Sequence, residues 1–222
     1  MKHVVVDLEM NALDKRFVKE KQICGREIIQ IGAILLDDQY KEIGSFSTLV
    51  KPQYNERVEP YFEQLTGIST EMVQDAPVFQ EAIKQFFDWC RNQKDDIRIY
   101  QWSESDYEQI LAEAELKGVA LVSTDWELLQ KFENLQKEYG DKLGVVKEVS
   151  LKDAVMYAGL DFTGHEHDAL DDAKNTAALL RIIRIPKLCK EVLETVIDAF
   201  RTKPVGTSLG DLLKFGGLGI FA

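Results

Sequence analysis

The sequence is poor in cysteine and has no long apolar run. Its three cysteines, Cys24, Cys90 and Cys189, are far apart, odd in number and not in a CxxC pair, which argues against a disulfide framework and a zinc site. No apolar stretch approaches the roughly 18 residues that a membrane-spanning helix needs. The segment before Asp7 is too short and too charged for a signal peptide, so we expect a cytoplasmic protein.

Positive charge is also scarce. The chain has 27 Lys and Arg against 38 Asp and Glu, which gives a formal net charge of −11. Because phosphate contacts favour basic surfaces, this balance argues against tight, sequence-independent binding to duplex nucleic acid. It leaves open a small cleft for a few nucleotides, since divalent cations bound by carboxylates reverse the local sign of the charge.

The length of 222 residues and the 45% hydrophobic content fit one large globular domain with an appendage. We expect the domain to span residues 1–185 and the appendage residues 186–222. The appendage begins with a predicted helix and ends in a tail, residues 202–222, that holds five of the 14 glycines. Such a tail is typical of a weakly packed terminus.

Four segments are predicted to be strands from their β-branched and aromatic content: Val4 to Glu9, Glu27 to Leu36, Glu42 to Val50 and Ile97 to Trp102. The turn residues Asp37-Asp38 separate the second strand from the third, which predicts an antiparallel hairpin.

Helical periodicity dominates the remainder of the chain. Helices are predicted over Pro77 to Gln93, Asp106 to Lys117, Asp125 to Tyr139, Leu151 to Ala158, Asp168 to Ile185 and Lys187 to Phe200. The chain thus begins with strands and continues with helices that have further short strands between them. This order predicts an α/β domain whose five-stranded mixed sheet is flanked by helices.

The first strand ends in two acidic residues, Asp7 and Glu9. Side chains two apart on a strand point to the same face, so both carboxylates should project together. A solvated strand end would explain them equally well. However, the pair directly follows three consecutive valines, and α/β proteins place their sites where such strands emerge from the core.

Asp106 follows the predicted strand that ends at Trp102 and opens a helix. Taken alone, it is typical of a first-turn acid favoured by the helix dipole. The segment from Gly164 to Ala177 is more informative, because His167, Ala169 and Asp172 form the pattern H-x-A-x-x-D at a helix start. His167 and Asp172 can then face one cleft, and the small Ala169 lets the helix approach the sheet.

Together these segments resemble, in order, the three motifs of the DEDDh-type 3′→5′ exonucleases, DnaQ-like members of the ribonuclease H-like superfamily. They are Asp7-Leu8-Glu9, the stretch from Tyr100 to Asp106, and His167 to Leu180. Gln64 to Ser69 also resembles the LTGI segment of that family. The chain looks closest to small bacterial exonucleases of the ERI type, including a sporulation-inhibitor-like branch. The resemblance covers roughly residues 1–185 and implies a ribonuclease H-like fold.

The resemblance implies that Asp7, Glu9, Asp106 and Asp172 hold two Mg²⁺ or Mn²⁺ ions and that His167 is the general base. Carboxylate oxygens suit these hard cations, and a neutral imidazole can accept a proton near neutral pH. The implied reaction hydrolyses single-stranded RNA or DNA from the 3′ end and releases nucleoside 5′-monophosphates, with RNA favoured.

The resemblance also implies a pocket for the terminal nucleotide. The candidate substrate-binding residues are Met10, Leu65, Thr66 and Trp102. Near the third motif, Asp171 is out of register with the proposed metal ligands, and we expect it to cap the helix together with Asp168. His165 is at the wrong spacing from Asp172, and we expect it to be a loop residue.

Two other functional classes stay open. An exonuclease-fold interaction protein would bind a protein partner or nucleic acid without catalysis, and loss of any one ligand would favour it. A ribonuclease H or transposase-like endonuclease would share the carboxylates but would not account for His167. Fold analogy alone does not separate these classes.

Overall fold

The computed structural model describes residues 1–93, 95–143 and 148–201. The predicted glycine-rich tail lies outside the described residues. Five strands form one mixed sheet: β1 (Lys2–Ala12), β2 (Arg26–Leu36), β3 (Glu42–Leu49), β4 (Ile97–Gln101) and β5 (Phe132–Asn134). Their order is β3-β2-β1-β4-β5, with β1 antiparallel to β2 and parallel to β4. The predicted five-stranded mixed sheet and the β2–β3 hairpin are confirmed.

Helices flank both faces of the sheet. They are α1 (Pro60–Thr66), α2 (Thr70–Val73), α3 (Phe79–Arg91), α4 (Ser105–Lys117), α5 (Ser123–Leu129), α6 (Leu135–Leu143), α7 (Leu151–Tyr157), α8 (Ala169–Arg184) and α9 (Pro186–Arg201). Within the described ranges, none of these helices is both long and apolar enough to span a membrane.

The alternation of side chains along β1 divides the core between the two faces. Val4 and Val6 pack with side chains of α3, α4 and α5, whereas Val5 packs with side chains of α6, α7 and α8. A smaller cluster around Ile29 lies beneath α1 and α2. Because Asp7 and Glu9 have the same parity as Val5, the pleat directs both carboxylates toward the face covered by α8.

The predicted helix from Asp125 to Tyr139 is wrong. The chain instead forms α5, then β5, then α6, because Phe132 pairs with Ile99 and extends the sheet beyond β4. Tertiary pairing therefore overrides the local helical pattern. Asp125 lies in the first turn of α5, where its carboxylate accepts the backbone N–H of Val122 at 3.0 Å.

The start of α8 packs directly against β2 at Gly32. A Cβ added to Gly32 would lie 2.2 Å from the carbonyl carbon of Ala169, so no other residue fits there without displacing the helix. Ala169 is fully buried at the same contact. The predicted close approach of this helix to the sheet is confirmed, and it depends on the absence of a side chain on β2 as well as on the small Ala169.

Substituting Gly32 tests this contact. Gly32→Ala should reduce the free energy of unfolding by about 1–3 kcal/mol, the usual cost of overpacking. Gly25→Ala is the matched control, since an added Cβ there would have no neighbour within 4 Å. Urea unfolding of both variants measures the difference. Equal stabilities would show that α8 does not need the gap at Gly32.

Candidate active site

Asp7 and Glu9 lie side by side at the centre of the sheet. On β2 they pair with Gly32 and Gln30, and both of these residues contact the start of α8. Asp7 and Glu9 therefore face α8 together, as their spacing predicts. An irregularity in the β1–β2 register follows Glu9, so the strand changes its twist where the acidic pair ends.

Asp106 lies next to this acidic pair, on the helix that follows β4. It lies in the first turn of α4, is only 4% exposed, and its carboxylate accepts a hydrogen bond from the backbone N–H of Leu8. The N-cap position of α4 belongs to Glu104, so Asp106 does not cap the helix. Its position next to Asp7 follows from β4 lying parallel to β1, which places both strand ends at one edge.

A hydrogen-bonded bridge fixes the start of α8 to the sheet. The amide of Gln30 donates to Asp168 Oδ2 and accepts the backbone N–H of Ala169, both at 3.0 Å. Asp168 caps the helix as predicted, with its Oδ1 accepting the N–H groups of Leu170 and Asp171. Gln30 was not among the predicted site residues. Its signal was a single amide in the apolar strand, two residues before Gly32.

His167 lies directly beside the acidic residues. Its Nδ1 is 3.9 Å from Glu9 Oε1, and its backbone N–H donates to Asp172 Oδ2 at 3.3 Å. The backbone φ of His167 is +66°, a left-handed conformation that a non-glycine residue adopts only when its surroundings hold it. Ligand atoms of Glu9, His167 and Asp172 all lie within 4.8 Å of one another.

Two side chains of α8 hold the loop that carries His167. The carboxylate of Asp171 accepts the N–H of His165 at 3.0 Å and also binds Lys174. Asp171 therefore stabilises the loop, and the expected capping role of its carboxylate is wrong. Asn175 accepts the N–H of Thr163 and donates to its carbonyl, each at 2.9 Å. His165 is exposed in the loop, as expected.

The clustered carboxylates share raised pKa values. Burial is the main cause at Asp7, Glu9, Asp106 and Asp172. Repulsion from Asp172 adds to it at the other three, and repulsion from Asp168, Glu166 and Asp171 adds to it at Asp172. These effects raise the pKa of Glu9 to about 8, and those of Asp106 and Asp172 to about 7. The pKa of Asp7 is also raised well above its usual value. The site thus concentrates negative charge that a cation would stabilise.

The donor atoms suit a divalent cation. Asp172 Oδ1 is buried and has no hydrogen-bond donor in the part of the chain that the structure describes, so it is available as a ligand. Carboxylate oxygens surround it, which favours Mg²⁺ or Mn²⁺ over metals that prefer sulfur. Glu9, Asp172 and the neighbouring Asp7 and Asp106 could hold such an ion, with His167 at the edge of the cluster.

Comparison with known families agrees with this arrangement. The RNase_T family, described as an exonuclease, matches residues 4–180. The chain belongs to this exonuclease family. The match contains all three motifs, and the expected resemblance to DEDDh-type enzymes is confirmed. The prediction of an exonuclease is thereby confirmed at the level of the family.

Several relatives are similar to this exonuclease-family chain. ERI1 exoribonuclease 2 of Danio rerio is 27% identical over 197 residues, covering 79% of this chain and 34% of that protein. A PolC-type DNA polymerase III of Caldanaerobacter subterraneus subsp. tengcongensis is 27% identical over 180 residues, covering 79% of this chain and 11% of that protein. The chain therefore spans well under half the length of these two relatives.

A solved structure supports the fold. It is the nuclease domain of 3′hExo, a DEDDh family member, bound to rAMP. It superimposes with a TM-score of 0.71 at 22% identity, covering 87% of this exonuclease chain and 94% of that one.

The candidate substrate-binding residues of the exonuclease occupy different environments. Met10 is half-buried beside Glu9, and Leu65 and Thr66 are half-buried on α1, which packs against β1. The Thr66 hydroxyl donates to the Phe62 carbonyl at 2.8 Å and accepts the N–H of Ile68. Trp102 is different, because it is 6% exposed in the core and its indole N–H donates to the Val149 carbonyl. Little of its surface is left for a substrate.

The raised pKa values predict how stability depends on pH. The folded state holds protons that the unfolded chain has released, so between pH of about 4 and about 8 the metal-free protein should lose stability as pH rises. Mg²⁺ or Mn²⁺ should restore the lost stability at the higher pH. Thermal unfolding with and without EDTA across this range measures both effects.

Asp172→Asn is the matched control, because it removes one charge from the cluster while keeping the side-chain shape. Its metal-free stability should depend less on pH than that of the parent protein, and metal should stabilise it less. An unchanged pH dependence in this variant would show that the pKa of Asp172 is not raised as described.

Proposed function

We propose that this chain is a metal-dependent exonuclease that hydrolyses single-stranded RNA, and DNA less well, from the 3′ end and releases nucleoside 5′-monophosphates. The observation that carries the proposal is the convergence of Glu9, His167 and Asp172 within 4.8 Å, beside Asp7 and Asp106. Such a cluster provides ligands for cations and a proton acceptor at one place.

The residues of the chain divide the chemistry between them. Two divalent cations would be held by the four carboxylates of Asp7, Glu9, Asp106 and Asp172. When bound, these cations would stabilise the charge that develops on the attacking and leaving oxygens. His167 accepts the proton of the attacking water as the new P–O bond forms and the bond to the 3′ oxygen breaks. Its side chain is 46% exposed, so solvent can remove that proton afterwards.

The preference for RNA rests on the relatives. Several of them are named exoribonucleases, and the similar solved structure holds rAMP. The PolC-type relative is named a DNA polymerase, which supports some activity on DNA. We further propose that residues 1–185 form the catalytic domain and that residues 186–222 are an appendage. The family match to residues 4–180 supports this division.

A time course on 5′-labelled single strands tests the function. With Mg²⁺ or Mn²⁺, a ladder should shorten from the 3′ end, faster for RNA than for DNA of the same sequence. A 3′-phosphate should block the reaction, and EDTA should abolish it. Internal cleavage products or cutting of circular strands would contradict an exonuclease and favour an endonuclease.

Substitution of His167 separates proton transfer from metal binding. His167→Ala should lower kcat by about 10²–10⁴-fold, the usual size of a general-base contribution, and should leave Mn²⁺ affinity nearly unchanged. Asp7→Asn should weaken Mn²⁺ binding and cleavage together. Single-turnover cleavage and Mn²⁺ titration measure the two properties.

His165→Ala is the matched control for His167→Ala. His165 is exposed in the same loop, and its structural contact is made by the backbone N–H, which the substitution keeps. Near-normal cleavage is therefore expected. A dead His165→Ala enzyme beside an active His167→Ala enzyme would mean that the wrong histidine has been assigned.

A further inference from the structure

The connection between β1 and β2 is basic in an otherwise acidic chain. Residues 13–26, here called the basic connection, hold five Lys and Arg against two acidic residues, whereas the whole chain carries a net charge of −11. The five are all exposed: Lys15, Arg16, Lys19, Lys21 and Arg26.

Within the ranges that the structure describes, most of these cations have no acidic partner. Lysines elsewhere form ion pairs, such as Lys131 with Asp96 at 3.0 Å and Lys152 with Glu166 at 2.8 Å. In the basic connection, only Arg16 contacts a carboxylate, that of the exposed Glu56 at 3.4 Å, when the described residues are considered. The other four positive charges are available to an external anion.

The basic connection begins at the edge of the active site. β1 ends three residues after Glu9, which corresponds to about 10 Å along the strand. Arg26 pairs with Ala12 across the two strands, and its Nη1 lies 4.0 Å from the sulfur of Met10. A strand whose 3′ end lies at Glu9 can therefore reach these cations.

The base of the basic connection is fixed to the helix that carries Asp106. Gln109, one turn after Asp106 in α4, donates to the Arg26 carbonyl at 3.0 Å and to the sulfur of Cys24 at 3.4 Å. The N–H of Leu13 donates to the Gly25 carbonyl at 2.9 Å and closes the base. The base of the basic connection is thus held at a set position relative to α4.

The surface at the start of α4, the helix that carries Asp106, is acidic. A cavity of about 540 Å³ lies against the start of α4, and its lining includes Glu104, Glu108, Asp141 and Glu148 against the single basic residue Lys137. A polyanion approaching from there would be repelled. The cavity of about 240 Å³ next to the basic connection is mixed in charge, because Arg16 and Arg57 line it together with Asp14, Glu56 and Glu59. The acidic lining at α4 therefore disfavours approach from that direction, and the exposed cations of the basic connection are the attractive feature.

We propose that the basic connection binds the phosphates of a single strand just 5′ of the nucleotide that is removed. This inference rests on the proposed function, because it takes the 3′ end to lie at the carboxylates. It selects a single strand rather than a duplex, since the cations form one short platform while the remainder of the chain is acidic.

The test compares two triple variants that lose the same charge. Lys15, Lys19 and Lys21 are changed to Gln in one. In the control, Lys41, Lys187 and Lys190 are changed to Gln. Lys41 follows the end of β2, which pairs with the start of β1. Lys187 and Lys190 lie on α9, which follows the C-terminal end of α8. Both are measured in a His167→Ala background by fluorescence anisotropy with labelled single-stranded RNA of roughly 10 nucleotides.

The basic-connection variant should bind the strand about 10-fold more weakly, and the salt dependence of its log affinity should fall by about 0.7 for each lost phosphate contact. The control variant should bind nearly as the parent does. With His167 restored, cleavage of a dinucleotide should stay normal in both variants, while cleavage of the long strand at low concentration should fall only in the first. Equal losses in both variants, or none, would overturn the proposal.

These measurements keep the two proposals distinct. If the chain does not act as an exonuclease, neither the dinucleotide nor the long strand is shortened by the parent enzyme, yet the anisotropy still reports whether the basic connection binds a strand. If only the basic connection is wrongly assigned, cleavage is intact and the binding difference between the two triple variants is missing.

Discussion

The contact between α8 and β2 is the constraint on which the active site depends. Asp172 comes close to Glu9 only because the helix start lies against the backbone of Gly32, where an added Cβ would be 2.2 Å from Ala169. The bridge through Gln30 then sets the position of the helix along the strand, since it binds both the capping Asp168 and the first helical N–H. Packing at Gly32 thus fixes how closely α8 approaches β2, and the hydrogen bonds of Gln30 fix the position of α8 along β2.

The fold holds together charges that repel one another, and neighbouring acids differ in what they do. Asp168 caps α8, and Asp171 fixes the loop before it, so both carboxylates already have donors. Asp172 differs, because one of its oxygens is buried without a donor among the described residues and its pKa is raised to about 7. Three acids within five positions thus separate into two structural residues and one that faces the cluster. Asp168 and Asp171, whose carboxylates accept backbone N–H groups, support the strained backbone of His167. The side chain of His167 completes the site.

Much of this arrangement could be predicted from sequence, because it depends on local rules. The spacing of Asp7 and Glu9 places them on one face of a strand, and Asp168 opens a helix by ordinary capping. The break of the predicted helix from Asp125 to Tyr139 could not be predicted, since β5 forms only by pairing with β4. The short helices α1 and α2 were also missed, because two turns or fewer carry little periodicity. The roles of Gln30 and Asp171 depend on contacts with distant or non-helical backbone, which spacing does not reveal.

Net charge is a poor guide to this surface because the charges are unevenly distributed. The chain total of −11 reflects acids spread over the surface together with the carboxylates of the active site. Surface acids keep a protein soluble and repel a polyanion over most of its area. The same repulsion makes a short basic segment more selective, because an anionic strand is attracted to it and repelled by most of the remaining surface. The exposed cations between β1 and β2 follow the part of β1 that carries the carboxylates. Residues that attract phosphate therefore lie next to residues that attract metal cations. An acidic protein can in this way direct a single strand to its metal-binding residues without binding nucleic acid over its whole surface.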